Sequence, residues 1–221
     1  MRSPCLPHDL LWLSATSALV ADSGLPAWLP RHWHHGLPVV VRRASARPGL
    51  IAVGLRGPLR AQRCAMWARS QQICRVLSPE QVADQTGWQQ HPRLAELPAL
   101  QALQQAHAAL QASGMTWGIT GSAGFELATG QATLTSNSDL DLLLRCPQPP
   151  ARAVVQTLAA TLAGLPCRVD IQLQTPTGGV ALEEWLRGGR VLLKTASGPL
   201  LLDEPLAAWP AHRQNHVEQC P

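Results

Sequence analysis

Two short stretches of strict alternation constrain this chain most. In SNSDLDLLLR (136–145) Leu140, Leu142 and Leu144 fall on one side of an extended chain, and Asp139 and Asp141 fall on the other. In CRVDIQLQ (167–174) Val169, Ile171 and Leu173 alternate in the same way with Arg168, Asp170 and Gln172. A period of two marks a strand with one face on a core. Both segments therefore need a layer over their apolar side, and both hold carboxylates on the other side. The elements around them fit. Pro98 and Gly114 bracket a helix with Leu100, Leu103, His107 and Leu110 on one face. Residues 115–120 read as a strand, 122–129 as a short helix, and 150–162 as a helix ended by Gly164. The layout is α/β or α+β, with helices packed on a small mixed sheet.

The first part of the chain is different. Residues 38–43 and 50–55 are β-rich and flank a turn at Arg47-Pro48-Gly49, which predicts a hairpin. Residues 64–76 predict a helix, and Ser78-Pro79-Glu80 predicts a helix start. Residues 85–97, polar and broken by Gly87 and Pro92, predict a linker. The expected division is a basic α+β domain over 1–84, a linker over 85–97 and a second domain over 98–221. Charge supports it. Residues 1–110 hold eleven Arg against five acids, and 111–221 hold seven bases against nine acids. Between Ser23 and Pro79 there are nine Arg and no acid. A field of one sign over that length attracts an anion, whether phosphate, nucleic acid or an acidic protein. Arg42, Arg43, Arg56, Arg60 and Arg63 flank the predicted strands and turns and are the best candidates.

The scarce acids locate the chemistry. Residues two apart on a strand stand about 6.6 Å apart on one face, so Asp139 and Asp141 can share a cation. If the strand of Asp170 is a neighbour, three carboxylates converge. Three such groups repel one another unless a cation is present, and hard oxygen donors suit Mg²⁺. The plainer alternative is a pair of acidic turns with Asp139 as a cap. Upstream, WGITGSAGF (117–125) reads strand, Gly121-Ser122, helix. A glycine lets backbone approach a ligand, and N–H groups at a helix start attract phosphate. Ser122 is also an ordinary N-cap.

Gly121-Ser122, Asp139-x-Asp141 and Asp170 resemble the nucleotidyltransferase superfamily that includes polymerase beta. Gly124-Phe125-Glu126 stands where that superfamily often has an arginine. HDLLWL (8–13), VVVRR (39–43), GLRGPLRAQR (54–63), WGITGSAGFELATG (117–130) and SDLDLLLR (138–145) resemble a narrower family, the malonate decarboxylase holo-acyl-carrier-protein synthases, also called phosphoribosyl-dephospho-CoA transferases. The resemblance runs from about residue 8 to about residue 205. It implies a polymerase-beta-type core preceded by the smaller basic domain. It implies transfer of phosphoribosyl-dephospho-CoA from its triphosphoribosyl donor to a serine of the apo acyl-carrier subunit of malonate decarboxylase, with pyrophosphate leaving. Asp139, Asp141 and Asp170 would hold two Mg²⁺, with Asp170 near the attacking hydroxyl. Gly121 and Ser122 would hold the leaving diphosphate. Lys194, the one lysine, is a candidate cation on that diphosphate, against the plainer reading of a solvated side chain. Arg42, Arg43, Arg60 and Arg63 would meet the donor's phosphates or an acidic carrier.

Two other functions compete. A different small nucleotidyltransferase would act on RNA or a small molecule, although stacking aromatics are sparse in the basic stretch. A non-catalytic module would use the basic half to dock a carrier, and the intact Asp triplet argues against it. The remaining residues take plain readings. His32, His34 and His35 lack metal-ligand spacing and read as surface residues. His8-Asp9 reads as structural. Six cysteines without metal or redox spacing read as reduced, mostly buried thiols. No apolar run reaches the ~20 residues of a membrane span. The polar breaks before residue 10 argue against an export signal, so the cytoplasm is expected.

Overall fold

The computed structural model describes residues 5–34, 36–57 and 62–209. Arg60, His35 and Cys220, all considered above, lie outside the described residues. The chain divides into two compact units, Met1–Pro79 and Glu80–Pro221.

The first unit is built on one sheet. Its strands are β1 (Leu10–Leu13), β2 (Leu19–Val20), β3 (Val39–Val41), β4 (Leu50–Arg56), β5 (Arg63–Arg69) and β6 (Ile73–Leu77), in the order β2-β5-β4-β3-β1-β6. Every pairing is antiparallel. The hairpin expected around residue 48 is present, with Val40 opposite Gly54 and Val41 opposite Val53. A four-residue helix α1 (Leu29–His32) covers the core face with Leu29. Leu11, Leu13, Val39, Val41, Val53, Leu55, Met66 and Ala68 are buried there, together with Trp33.

The helix expected over residues 64–76 is instead β5, a 3-10 turn at Ser70–Gln72 and β6. Ala, Met, Arg and Gln favour helix locally. Pairing along all seven residues of β4 decides otherwise, because it buries Met66 and Ala68 in a core that a helix would leave open.

The second unit begins with helix α2 (Pro79–Asp84), whose first residue closes the first unit. Two 3-10 turns follow, at Gly87–Gln90 and Leu94–Glu96. They occupy the stretch expected as a linker. Trp88 and Leu97 are buried, and the Trp88 ring packs 5.2 Å from that of His107. Helix α3 (Pro98–Ala112) buries Leu100, Leu103, Ala106 and Leu110, one stripe at helical spacing. Then come β7 (Thr116–Ile119), α4 (Gly121–Thr129), β8 (Leu140–Arg145), α5 (Arg152–Leu162), β9 (Val169–Gln174), β10 (Gly179–Ala181), α6 (Leu182–Arg187), β11 (Val191–Thr195) and β12 (Gly198–Leu202). The sheet order is β12-β11-β10-β9-β8-β7. Only β8 and β9 are parallel, and α5 makes the crossover that a parallel pair requires. The protein is thus mixed α+β with two sheets. Among the described residues no helix is long and apolar enough to cross a membrane.

Candidate functional site

The site is assembled where β7 ends beside β8. Antiparallel pairing sets Ile119 opposite Leu142. The next residue, Thr120, is extended and closes the ladder: its N–H donates to the Asp141 carbonyl at 2.9 Å and its hydroxyl donates to the same oxygen at 3.3 Å. The chain then turns into α4 through Gly121, at φ +63°. That left-handed conformation favours glycine. Space demands glycine as well, because a Cβ there would stand 2.0 Å from Asp141 Oδ2. Gly124 has a parallel reason: its Cβ would meet the Ile119 carbonyl at 2.6 Å, so α4 lies close on the end of β7. The first turn of α4 and the Asp141 carboxylate are therefore in contact. Ser122 is half-buried, and its carbonyl accepts the Thr133 hydroxyl at 2.9 Å.

The second carboxylate arrives from β9. The parallel register places Asp141 beside Asp170, with Leu142 beside Ile171. Neighbouring strands lie about 4.8 Å apart, so the two carboxylates project side by side from the same face. Both residues are half-buried. Asp170 is ion-paired with Arg168 at 2.8 Å, two residues back and just before β9. Arg168 had appeared on the polar side of that strand without a role, and the alternation that put it beside Asp170 was the signal. Asp139 is exposed and precedes β8, tied by the bond from the Leu140 N–H to the Arg168 carbonyl at 2.9 Å. Burial pushes the Cys167 thiol up, the nearby Asp139 charge adds to that, and a hydrogen bond with the Leu140 backbone offsets part of it.

A structural clamp behind the site was missed. Glu126, on α4, is 2% exposed. Its Oε2 accepts the N–H groups of Thr133 and Leu134, each at 2.6 Å, and its Oε1 pairs with Arg93 at 3.2 Å and faces His91 at 3.4 Å. Arg93 also donates to the Leu134 carbonyl. Glu126 thus anchors the loop that leads into Asp139. An acid deep in a glycine- and alanine-rich helix was the available clue.

Other candidates sit elsewhere. Lys194 is exposed on β11, three strands from β8, and its register partner Gly179 pairs with Gln174, four residues beyond Asp170. At about 4.8 Å per strand and 3.3 Å per residue its Cα is about 14 Å across and 13 Å along from Asp141, beyond a lysine's reach. The structure thus does not bring Lys194 up to the carboxylates themselves. In the first unit, Arg42 donates to the Val53 carbonyl at 3.2 Å and lies 5.2 Å from the Trp67 ring. Arg43 Nη1 meets His8 Nε2 at 3.4 Å, and Arg63 is exposed opposite Arg56. Asp9 is buried and accepts the Leu6 N–H at 2.8 Å, the structural role expected of it, while His8 holds φ +78°. His32 and His34 are exposed. Of the described cysteines only Cys146 is buried and Cys74 is exposed, so the thiols are less sheltered than expected.

The donors suit a hard divalent cation: carboxylates at adjacent strand positions and a third two residues upstream. Among the described residues no three ligating groups are drawn into a ready cage, and one Asp170 oxygen faces Arg168. A bound cation would have to take that oxygen from an exposed arginine, an exchange of small cost.

Comparison with known proteins shows the family. Residues 81–205 match the family described as phosphoribosyl-dephospho-CoA transferase MdcG C-terminal domain, and 6–79 match the corresponding N-terminal domain. A phosphoribosyl-dephospho-CoA transferase of Pseudomonas aeruginosa is 48% identical over 200 residues, covering 90% of this chain and 92% of its own. One from Azotobacter vinelandii is 48% identical over 201 residues, covering 90% and 93%. One from Klebsiella pneumoniae is 42% identical over 214 residues, covering 97% and 100%. No solved structure matches the chain. Over nearly its whole length the chain belongs to the phosphoribosyl-dephospho-CoA transferase family.

Proposed function

We propose that this transferase moves phosphoribosyl-dephospho-CoA from its triphosphoribosyl donor onto a serine of the apo acyl-carrier subunit of malonate decarboxylase. It does so as a nucleotidyltransferase of the polymerase-beta type, with Mg²⁺. The observation that carries the reading is the contact of Gly121 with the Asp141 carboxylate, beside Asp170 in parallel register. A helix start of the kind that attracts phosphate lies there beside a carboxylate pair.

The chemistry is an in-line displacement. The serine oxygen forms a bond to the donor's α-phosphorus as the bond to the bridging oxygen of the diphosphate breaks, and pyrophosphate leaves with the electron pair. Little covalent work falls to the protein, so positioning and neutralisation of charge dominate. Asp139, Asp141 and Asp170 would hold the cations. Bound Mg²⁺ supplies charge neutralisation on the phosphates and acidity to the attacking hydroxyl. The N–H groups of the first turn of α4, with the Ser122 hydroxyl, receive the diphosphate. Asp170, on its own strand, accepts the serine proton late, because a carboxylate beside a cation is a weak base. Arg168 covers Asp170 in the resting site.

The test incubates apo carrier, triphosphoribosyl donor and Mg²⁺ with the protein, and follows the carrier's intact mass and the pyrophosphate released. The carrier should gain one prosthetic group per pyrophosphate. Asp141→Asn should abolish both while the protein stays folded. A carrier of unchanged mass with wild-type protein, or transfer indifferent to Asp141→Asn, would refute the reading.

A further inference from the structure

The sheet of the second unit ends at an edge that the site above does not use. β12 is its last strand, and among the described residues it pairs with β11 alone. Alternation sorts the side chains of this hairpin. Val191 and Leu193 are buried on the core face, so Leu192 and Lys194, both exposed, stand on the outer face. Directly paired residues share a face. Leu201, opposite Leu192, and Pro199, opposite Lys194, therefore belong to the outer face as well, and Leu200 and Leu202 to the core face. Yet Leu200 is 52% exposed, Leu201 49% and Leu192 38%. At this edge both faces of the sheet offer leucine to solvent.

The backbone of that edge is open too. Pairs alternate along an antiparallel ladder, and every second pair turns its N–H and C=O groups away from each other. Leu192 and Leu201 form such a pair, because the Leu192 N–H donates to the Glu184 carboxylate at 2.9 Å rather than to Leu201. Leu201 therefore points its N–H and C=O at the free edge. Pro199, two residues back, turns the same way, and its missing N–H falls where a strand tolerates proline, on the open side of an edge. Asp203, two residues on, has the same parity. Charges, bulges and prolines guard such edges against pairing, and within Gly198–Leu202 only Pro199 does so.

These features complement themselves. When β12 is laid antiparallel on a second copy with Leu201 opposite Leu201, that pair exchanges both of its bonds. The Asp203 N–H of each copy then reaches the Pro199 carbonyl of the other, so Pro199 is asked only to accept. On the outer face, Leu192 and Leu201 of one copy run on into Leu201 and Leu192 of the other. On the core face, Leu200 meets Leu202. Charge fits the same register. Lys194, Pro199 and Asp203 of the second copy stand in one row, with the outer two Cα atoms about 10 Å apart, within a lysine's reach. Lys194 makes no ion pair among the described residues, and Asp203 is 96% exposed with Arg190 at 3.6 Å. A slip of one residue would turn the wrong faces together, and a slip of two would set Leu201 against Pro199 or Asp203.

We propose that the free edge of β12 is a two-fold interface with a second copy of this chain, paired strand to strand about Leu201 and tied on each side by Lys194 and Asp203. The contact is the same patch on both copies, so assembly closes at two. A peptide of another sequence would use the backbone bonds, but a second copy also matches leucine to leucine and Asp203 to Lys194 in one register. The strand is only about 17 Å long, a strip well below the ~800 Å² each partner gives a standard interface. The dimer therefore dissociates on dilution. The inference stands independently of the reaction proposed above.

Sedimentation of the full chain at low salt, over about 1 to 200 μM, tests it, with a dimer dissociation constant expected in about the micromolar range. Leu201→Lys sets two cations face to face at the two-fold axis and leaves the bonds to β11 in place, so the constant should rise by about tenfold or more. Lys194→Glu and Asp203→Lys should each weaken the dimer, and the double variant, which restores opposite charges across the axis, should recover it. Thermal melting of dilute protein checks that every variant is folded. A wild-type chain that stays monomeric throughout would overturn the proposal. So would a dimer indifferent to Leu201→Lys, which lies on another surface, a double variant no better than its singles, which refutes the register, or growth beyond two copies. A monomeric chain in which Leu201→Lys raises KM for the apo carrier subunit would make the strip a carrier dock and overturn the dimer as well.

Discussion

Gly121→Ala puts the closest contact of the candidate site to a quantitative test. Two costs follow from one methyl group. The first is conformational: at φ +63° a side chain costs about 1–2 kcal/mol. The second is steric and local. The new Cβ would stand 2.0 Å from Oδ2, 2.7 Å from Cγ and 2.9 Å from Cβ of Asp141. A carbon–oxygen contact settles near 3.3 Å, so the carboxylate has to retreat by more than about 1 Å. A displacement of that size at a reacting centre costs about 100-fold in rate. Gly130 supplies the control. It ends α4 at φ +72°, and its added Cβ would meet nothing within 4 Å. Gly130→Ala therefore carries the conformational cost without the collision. Urea denaturation should show Gly130→Ala destabilised by about 1–2 kcal/mol and Gly121→Ala by at least as much, the collision adding to the same conformational cost. Single-turnover transfer, read from carrier mass, should fall about 100-fold in Gly121→Ala and stay near wild type in Gly130→Ala. Equal rates in the two variants would refute the reasoning, because the Asp141 carboxylate would then tolerate displacement.

Three further outcomes are expected. Glu126→Ala removes the acceptor of two buried N–H groups and the partner of Arg93, and should destabilise the protein by about 3 kcal/mol in denaturant; a loss below about 1 kcal/mol would mean that the 133–134 loop is held by other contacts. Arg168→Ala breaks an exposed pair and should change stability by less than about 1 kcal/mol, while lowering the Mg²⁺ concentration for half-maximal transfer; a raised requirement would show that Arg168 serves the substrate rather than covering Asp170. Burial pushes the Cys146 thiol from 9.0 up to about 12. The unfolded chain releases that proton above pH 9 and the folded chain retains it, so stability present below pH 9 should decline as pH rises toward 12; a Cys146→Ala variant with the same decline would assign the loss to other groups.

Alternation in the sequence was enough to find β8 and β9 and to put Asp139, Asp141 and Asp170 on polar sides, because a period of two is a property of a few consecutive residues. Pro98 and Gly114 around α3 and Gly164 after α5 were legible for the same reason, whereas α4 begins at Gly121 with Thr120 before it, so Ser122 is not its N-cap. What alternation cannot carry is which strands are neighbours. The pairing of Asp141 with Asp170 depends on a parallel register set by the packing of the α5 crossover, and the distance of Lys194 from Asp141 depends on β9 and β10 lying between β8 and β11. Residues 64–76 show the limit most clearly. Their helix-favouring composition lost to a seven-residue ladder with β4, and only that ladder placed Arg56, Arg63 and Arg69 on one face. Gly121 belongs to both accounts. The sequence marked it as a turn before a helix, and the fold added the Asp141 carboxylate, brought from twenty residues away, that leaves it no room for a side chain.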